Sequence, residues 1–219
     1  MRLLIVAATE MEILPLVSAL HRTSDRGPRT TTYAHAGHDL VVLTTDVGMV
    51  ATAAWCSAVM ANETFDLALN FGICGSFDPA VEPGRVVHVV SDRLAELGAE
   101  DGDSFLDIDD LQLPAEHEFM NANPPRIDAL GRLPVVSGIT VNTVHGSERS
   151  IAAVVARCAP QVESMEGAAF MCACQMHGLP FAQVRAVSNM VERRNRRAWK
   201  LMEAITNLND VALAIVESA

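Results

Sequence analysis

Leu3-Leu4-Ile5-Val6-Ala7-Ala8 runs directly into Thr9-Glu10-Met11-Glu12. Six apolar residues with no polar alternation read as a strand buried on both faces. Such strands belong to sheets covered by helices on both sides, and a helical stretch is expected from Thr9 to about Leu20.

Working outward, the alternation of strand and helix continues. β-rich segments near Thr30–His35 and Leu40–Asp46 lead to a turn over Thr45–Gly48 and a small-residue, buried helix at Met49–Ala61. Asp66–Phe71 reads as a strand ending in a Gly-rich turn, Gly72-Ile73-Cys74-Gly75-Ser76, and Arg85–Val90 as another. Glu100–Pro134, acidic at first and then rich in Asn and Pro, reads as a long loop with some local helix and a solvated acidic face. A short strand at Pro134–Gly138, a helix at Glu148–Arg157 and a helix at Glu166–His177, stopped by Gly178 and Pro180, follow. Phe181–Val187 is a strand, and a last helix runs from about Arg193 to Glu217. The expected class is α/β: three layers, α/β/α, around a central mixed and largely parallel sheet, with residues 1–219 forming a single domain.

Composition narrows the function. A chain of 219 residues can bury a sizeable core without disulfides or metals. Its 16 basic and 27 acidic residues give a net charge of -11, which argues against nucleic acid or an anionic membrane as a general partner. No apolar run is long enough to span a membrane, and MRLLIVAATEMEI lacks the layout of a signal peptide. Five cysteines with no CxxC pair read as reduced thiols of a cytoplasmic protein. His35 and His38 read as a surface loop rather than a metal site.

In open α/β sheets, ligands sit beyond the carboxyl ends of strands. That rule selects Glu10 and Glu12, the segment Gly72–Ser76, Met165 with Glu166, and Ser188 with Asn189. Glu12 can cap its helix or take a proton from water. The Gly-rich segment has neither GxGxxG nor GxxxxGK[ST], so a dinucleotide or Walker phosphate site is unsupported, but Gly75 allows close backbone approach to a ligand. Glu166 stands at a strand-to-helix junction beside small residues and can accept two hydrogen bonds from a vicinal diol such as ribose. The Asn189 amide both donates and accepts, which suits a purine edge.

AATEMEI (7–13), NFGICGSF (70–77), VESMEGAAF (162–170) and RAVSNMVE (185–192) occur in the order found in the purine nucleoside phosphorylase and nucleosidase superfamily, which the chain resembles over nearly its whole length. LAELGAEDGDSF (94–105), VNTVHGS (141–147) and SNMVERRNRRAW (188–199) are similar to the futalosine hydrolases of its hydrolase branch. The resemblance implies that Glu12 activates the attacking water, Glu166 binds the ribose hydroxyls and Met165 packs on the sugar. Ser188 and Asn189 would orient and bind the base, Thr143 and Val144 would contact it through their backbone, and Trp199 would stand near the base and the 5′ group. It implies a nucleoside substrate, no metal or organic cofactor, and a homodimer or higher homo-oligomer.

Two departures refine this. Adenine-specific nucleosidases carry an aspartate where this chain has Asn189, and an amide cannot act as a general acid. Asn189 suits hypoxanthine, whose 6-oxo group accepts a hydrogen bond. Phosphorylases carry an arginine where this chain has Asn70, and carboxylates at Glu10 and Glu12 would repel phosphate. Hydrolysis is therefore favoured over phosphorolysis. Arg193, Arg194, Arg196 and Arg197 crowd one short stretch, either as a solvated face or to meet a substrate carboxylate, and helical spacing would put Arg193 and Arg196 on one face. A phosphorylase, an adenine nucleosidase and a non-catalytic nucleoside-binding protein stand as alternatives.

Overall fold

The opening apolar run is strand β1, Arg2–Ala7, with Leu3, Ile5 and Ala7 in one hydrophobic core and Leu4 and Val6 in the other. The computed structural model describes residues 1–27, 29–102 and 104–219. Helix α1, Glu10–Ala19, follows and carries Pro15 in its interior. Proline has no N–H and disrupts the helical ladder around it. The gap is filled from the far end of the chain: Asn209 accepts from the Leu16 N–H (2.9 Å) and donates to the Glu12 carbonyl (2.8 Å). Asn209 lies on the last helix, which begins at Leu201 and ends at Glu217.

Strands β2 (His21–Asp25), β3 (Thr30–His35) and β4 (His38–Thr44) form an antiparallel meander that ends beside β1. Helix α2, Met49–Asn62, buries one stripe, Thr52, Cys56 and Met60, at helical spacing. It is therefore not the buried helix expected: Val50 and Trp55 are exposed.

Strand β5, Leu67–Ser76, continues through the segment expected as a turn, and Gly72 and Gly75 are strand residues. Strand β6 is Val86–Leu94. The expected long loop contains more structure than its composition suggested: a hairpin of β7 (Gly98–Asp101) and β8 (Ser104–Asp107), strand β9 (Glu118–Met120) and a single helical turn, α3 (Asp128–Gly131). Then come β10 (Val135–Thr140), α4 (Glu148–Cys158), β11 (Val162–Ser164), α5 (Gly167–Met176), β12 (Phe181–Met190) and α6, the C-terminal helix already placed. Helix α6 starts at Leu201, not near Arg193; Arg196–Ala198 form a 3₁₀ turn, so helical spacing does not relate Arg193 to Arg196.

The strand order is β11-β10-β6-β12-β5-β1-β4-β3-β2. β1 pairs in parallel with β4 and β5, β5 with β12, β6 with β10, and β10 with β11, while β12 and β6 are antiparallel. Helices α1 and α6 share a core with one face, and α5 packs with α2 on the other, giving the expected three layers. β11 also pairs antiparallel with β5, closing β5, β12, β6, β10 and β11 into a ring.

A polar knot lies where three strands of that ring meet the start of α5. Asp92 of β6 accepts from Gln183 of β12 (2.8 Å) and from the Thr140 hydroxyl of β10 (2.8 Å). Burial pushes the Asp92 carboxyl up to about 6, although these donors and Arg185 oppose the shift. On the same strand, burial pulls the His88 imidazole down to about 4. The signs differ. Asp92 binds a proton more tightly folded than unfolded, so its contribution is complete below about 4 and lost as pH rises through about 6. His88 contributes above its unfolded value, and that contribution is lost as pH falls toward about 4. Asp92→Asn removes the first effect alone. Denaturant unfolding at pH 7 and pH 5 is expected to show wild type gaining about 1 kcal/mol on the variant at the lower pH; an equal difference at both values would contradict the assignment.

Candidate active site

The carboxyl ends of β1, β5, β11 and β12 converge on a cavity of about 250 Å³. A smaller one of about 90 Å³ abuts it, and the two share Gly75, Val144, Glu163, Asn189 and Trp199.

Glu12 enters from the first turn of α1 and is buried. Its Oε2 accepts from the Thr9 N–H (2.9 Å) and hydroxyl (2.8 Å), and its Oε1 from the Ile73 N–H of β5 (3.1 Å). Capping and chemistry are thus compatible: the bonds that tie down the helix start also fix the carboxylate in the cavity wall.

Glu166 immediately precedes α5 and is buried. Its Oε1 accepts from the Gly48 N–H at the start of α2 (3.0 Å), and its Oε2 lies 4.0 Å from Arg185 Nη1. Burial raises its carboxyl above the usual range; Arg185 and the Gly48 N–H pull it back, and Glu12 adds to the rise. Met165 beside it lines the same cavity.

Ser188 and Asn189 lie within β12 rather than beyond it. Val187 is opposite Cys74 and Asn189 opposite Gly75, so Ser188 is an extra residue and the strand bulges there. A bulge re-aims the side chains that follow it. Ser188 Oγ lies 3.1 Å from the Cys74 carbonyl and 2.8 Å from Asn189 Oδ1, while Asn189 Nδ2 donates to the Met190 carbonyl (2.9 Å). With its oxygen facing Ser188 and one N–H committed to Met190, the amide of this cavity-lining residue keeps a second N–H for a ligand.

Val144, Trp199 and Gly75 also stand in the wall, as does Cys74, whose thiol burial pushes up to about 12. Thr143 is exposed and outside the lining of either cavity. Arg196 lies over the Trp199 ring, its Cζ 5.9 Å from the centroid, and lines neither cavity. Arg194, 5.5 Å from the same ring, reaches the wall of the smaller one.

Across residues 2–217 the sequence matches the family described as Phosphorylase superfamily. The chain belongs to that superfamily. It is 31% identical over 178 residues to the futalosine hydrolase of Thermus thermophilus, covering 78% of this chain and 79% of that relative. A 5′-methylthioadenosine/S-adenosylhomocysteine nucleosidase of Lysinibacillus sphaericus is 25% identical over 208 residues, 89% of each chain. The solved futalosine hydrolase of Helicobacter pylori shares the fold with a TM-score of 0.85 at 13% identity, covering 100% of this chain and 98% of that one. The expected α/β, nucleoside phosphorylase-like architecture is borne out.

Within this superfamily fold, three side chains near the cavity were not singled out from the sequence. Arg185 is a full charge in the middle of the apolar strand β12 and is 1% exposed. Its Nη2 donates to Asn70 Oδ1 (2.6 Å), and Asn70 in turn donates to the Val6 carbonyl (3.0 Å). Its Nε and Nη1 have no hydrogen-bond partner among the described residues. The signal was available: a charge flanked by Val184 and Ala186 in a buried strand needs a partner. Glu163 and His145 are the other two, joined by a 2.7 Å bond between Oε2 and Nδ1.

Gly72 is where the strand admits the guanidinium. A Cβ there would fall 1.9 Å from Arg185 Nη1 and 3.2 Å from Glu12 Oε1. Gly72→Ala is expected to cost about 1–3 kcal/mol of stability, as overpacking does. Thermal unfolding checks this, and wild-type stability would show that the guanidinium yields freely.

Proposed function

We propose that the chain hydrolyses the N-glycosidic bond of futalosine, a 6-oxopurine nucleoside, releasing hypoxanthine and dehypoxanthinyl futalosine in menaquinone biosynthesis. The observation that carries this reading is the meeting of two anchored carboxylates, Glu12 and Glu166, with an amide, Asn189, in one cavity. The futalosine hydrolase of Thermus thermophilus, similar over most of its length, supports the same substrate.

Glu166 accepts from the ribose hydroxyls, and Met165 packs on the sugar. Water attacks C1′ as the bond to the purine breaks, and the bonding pair leaves with the base. The water proton passes to Glu12, a step worth about 10²–10⁴ in rate for a positioned base. Asn189 donates to the departing purine, where negative charge develops. Arg185 lies behind both carboxylates and offsets their mutual repulsion in a buried place. A phosphate dianion would have to approach these two carboxylates, whereas neutral water does not meet that repulsion.

An adenine nucleosidase is the second reading, favoured by the Lysinibacillus sphaericus relative. Asn189 weighs against it, because it cannot protonate a leaving adenine. Met11, Leu14, Val47 and Val50 are 50%, 57%, 54% and 79% exposed, and Met11 and Val47 also border the cavity. We read this apolar rim as the face covered in a homodimer. The buried thiols of Cys56, Cys74 and Cys174 suit a reducing cytoplasm.

Base release from futalosine, aminofutalosine, methylthioadenosine and inosine, each with and without phosphate, tests the reaction. Hypoxanthine from futalosine without phosphate is expected; adenine release alone, or activity only with phosphate, would overturn the substrate or the nucleophile. Glu12→Gln is expected to bind nucleoside and to lose about 10²–10⁴ in kcat, so wild-type turnover would remove Glu12 as the base. Sedimentation of wild type as a dimer and of Val50→Glu as a monomer is expected; a wild-type monomer would contradict the covered rim.

A further inference from the structure

Helix α5 begins without a cap of its own. Glu166 holds the capping position, yet its side chain makes no bond to the helix start. It accepts instead from the Gly48 N–H (3.0 Å) and lines the larger cavity. The first N–H groups of a helix have no partner inside it, and a capping side chain ordinarily serves the second or third of them. Here two other hydroxyls take that duty. Ser164 Oγ accepts from the Gly167 N–H (3.2 Å), and Thr140 Oγ1, from β10, accepts from the Ala168 N–H (2.7 Å). Ala168 is the second helical residue, so Thr140 fills the place a capping side chain would take.

Thr140 is itself held. Its hydroxyl donates to Asp92 Oδ1 (2.8 Å), and Gln183 Nε2 donates to Asp92 Oδ2 (2.8 Å). With its proton committed to Asp92, the Thr140 oxygen is left to accept from Ala168. Asp92 is 1% exposed, Thr140 and Gln183 are 0% exposed, and none of the three lines either cavity of the candidate site. Gly167 rests against them, since a Cβ there would collide with Asp92 Oδ2 and the Gln183 side-chain amide. Strands β6, β10 and β12 thus fix the first turn of α5 through one buried carboxylate. Packing a helix on a sheet does not call for such a group, because apolar residues would do so without the cost of desolvating a charge.

We propose that the Asp92–Thr140 pair keeps Glu166 in the cavity by capping α5 in its place. This deepens the proposed function and rests on its reading of Glu166 as the group that accepts from the ribose hydroxyls. Two demands compete for that carboxylate, the sugar and the Ala168 N–H of its own helix. Thr140 meets the second and frees Glu166 for the first. Removing the hydroxyl leaves a buried N–H unpaired, and an unpaired buried donor is costly enough to draw the nearest carboxylate to it. Asp92, Thr140 and Gln183 are positioning residues: they stand outside the cavity and act through Glu166.

The test uses Thr140→Val, which keeps the shape and removes the hydroxyl, and Thr140→Ser, which keeps the hydroxyl. The readout is the ratio of kcat/KM for futalosine over 2′-deoxyfutalosine. That ratio reports the carboxylate at the diol, and a general loosening of the fold, lowering both rates alike, would not move it. It is expected to fall at least tenfold in Thr140→Val and to stay within threefold of wild type in Thr140→Ser. A crystal structure of Thr140→Val should show the Glu166 carboxylate moved from the Gly48 N–H to the Ala168 N–H. Should Thr140→Val not fold, Asp92→Asn, which leaves an oxygen for Thr140 but removes the charge that holds it, is expected to lower the ratio at least threefold. An unchanged ratio in the folded variant, or Glu166 still bound to Gly48, overturns the proposal and leaves the hydrolase reading intact. Wild type that cleaves the two nucleosides equally overturns the ribose role of Glu166, and wild type that cleaves neither overturns the hydrolase reading. In both of those cases the crystal structure decides the exchange of caps by itself.

Discussion

The buried Arg185 guanidinium sets the terms for everything around it. A cation in a sheet interior is tolerated only where acceptors and countercharges meet it. Asn70 supplies the acceptor, and Glu166 lies 4.0 Å away. Room for it exists because Gly72, opposite it in β5, has no side chain. Glu12 and Glu166 arrive from opposite helical layers, one at the start of α1 and the other just before α5. Without the cation between them, two carboxylates would be desolvated against each other. The acidic character of the site and the strand that supports it are therefore one construction.

A second constraint runs through main-chain register. The bulge at Ser188 moves Asn189 into line with Gly75, and β11 brings Glu163 to the same residue from the other edge. Long-range pairing thus sets the wall lined by Gly75, Glu163 and Asn189, while helix starts set the wall lined by Glu12 and Glu166. Asn209 links these levels: by repairing the helix interrupted at Pro15, the C-terminal helix steadies the turn of α1 that holds Glu12.

Much of this was legible in the sequence. The unbroken apolar run of β1 announced a doubly covered sheet, and Gly or polar residues at the strand ends marked the site. Glu12, Glu166, Ser188 and Asn189 do come together. The misses have definite causes. Gly72 and Gly75 read as turn residues because glycine favours turns, yet here glycine makes room beside a strand. β2 gave no alternation to detect, since all five of its residues are exposed. The arginine run was read as the start of the last helix, but Arg196–Ala198 form a 3₁₀ turn and the α-helix begins only at Leu201. Arg185 stood in plain view inside an apolar strand, but the residue that accepts its hydrogen bond, Asn70, is 115 positions away.

The three-residue strand β11 touches both β10 and β5 and thereby closes the ring. Glu163 lies within it and Met165 and Glu166 follow it, so three residues of the cavity wall fall within four positions. Separating β11 from β5 would therefore open the barrel and dismantle both ends of the cavity in one event. A ligand that touched both ends would act as a clasp on that seam: its affinity and the seam's resistance to local opening would be two readings of one free energy.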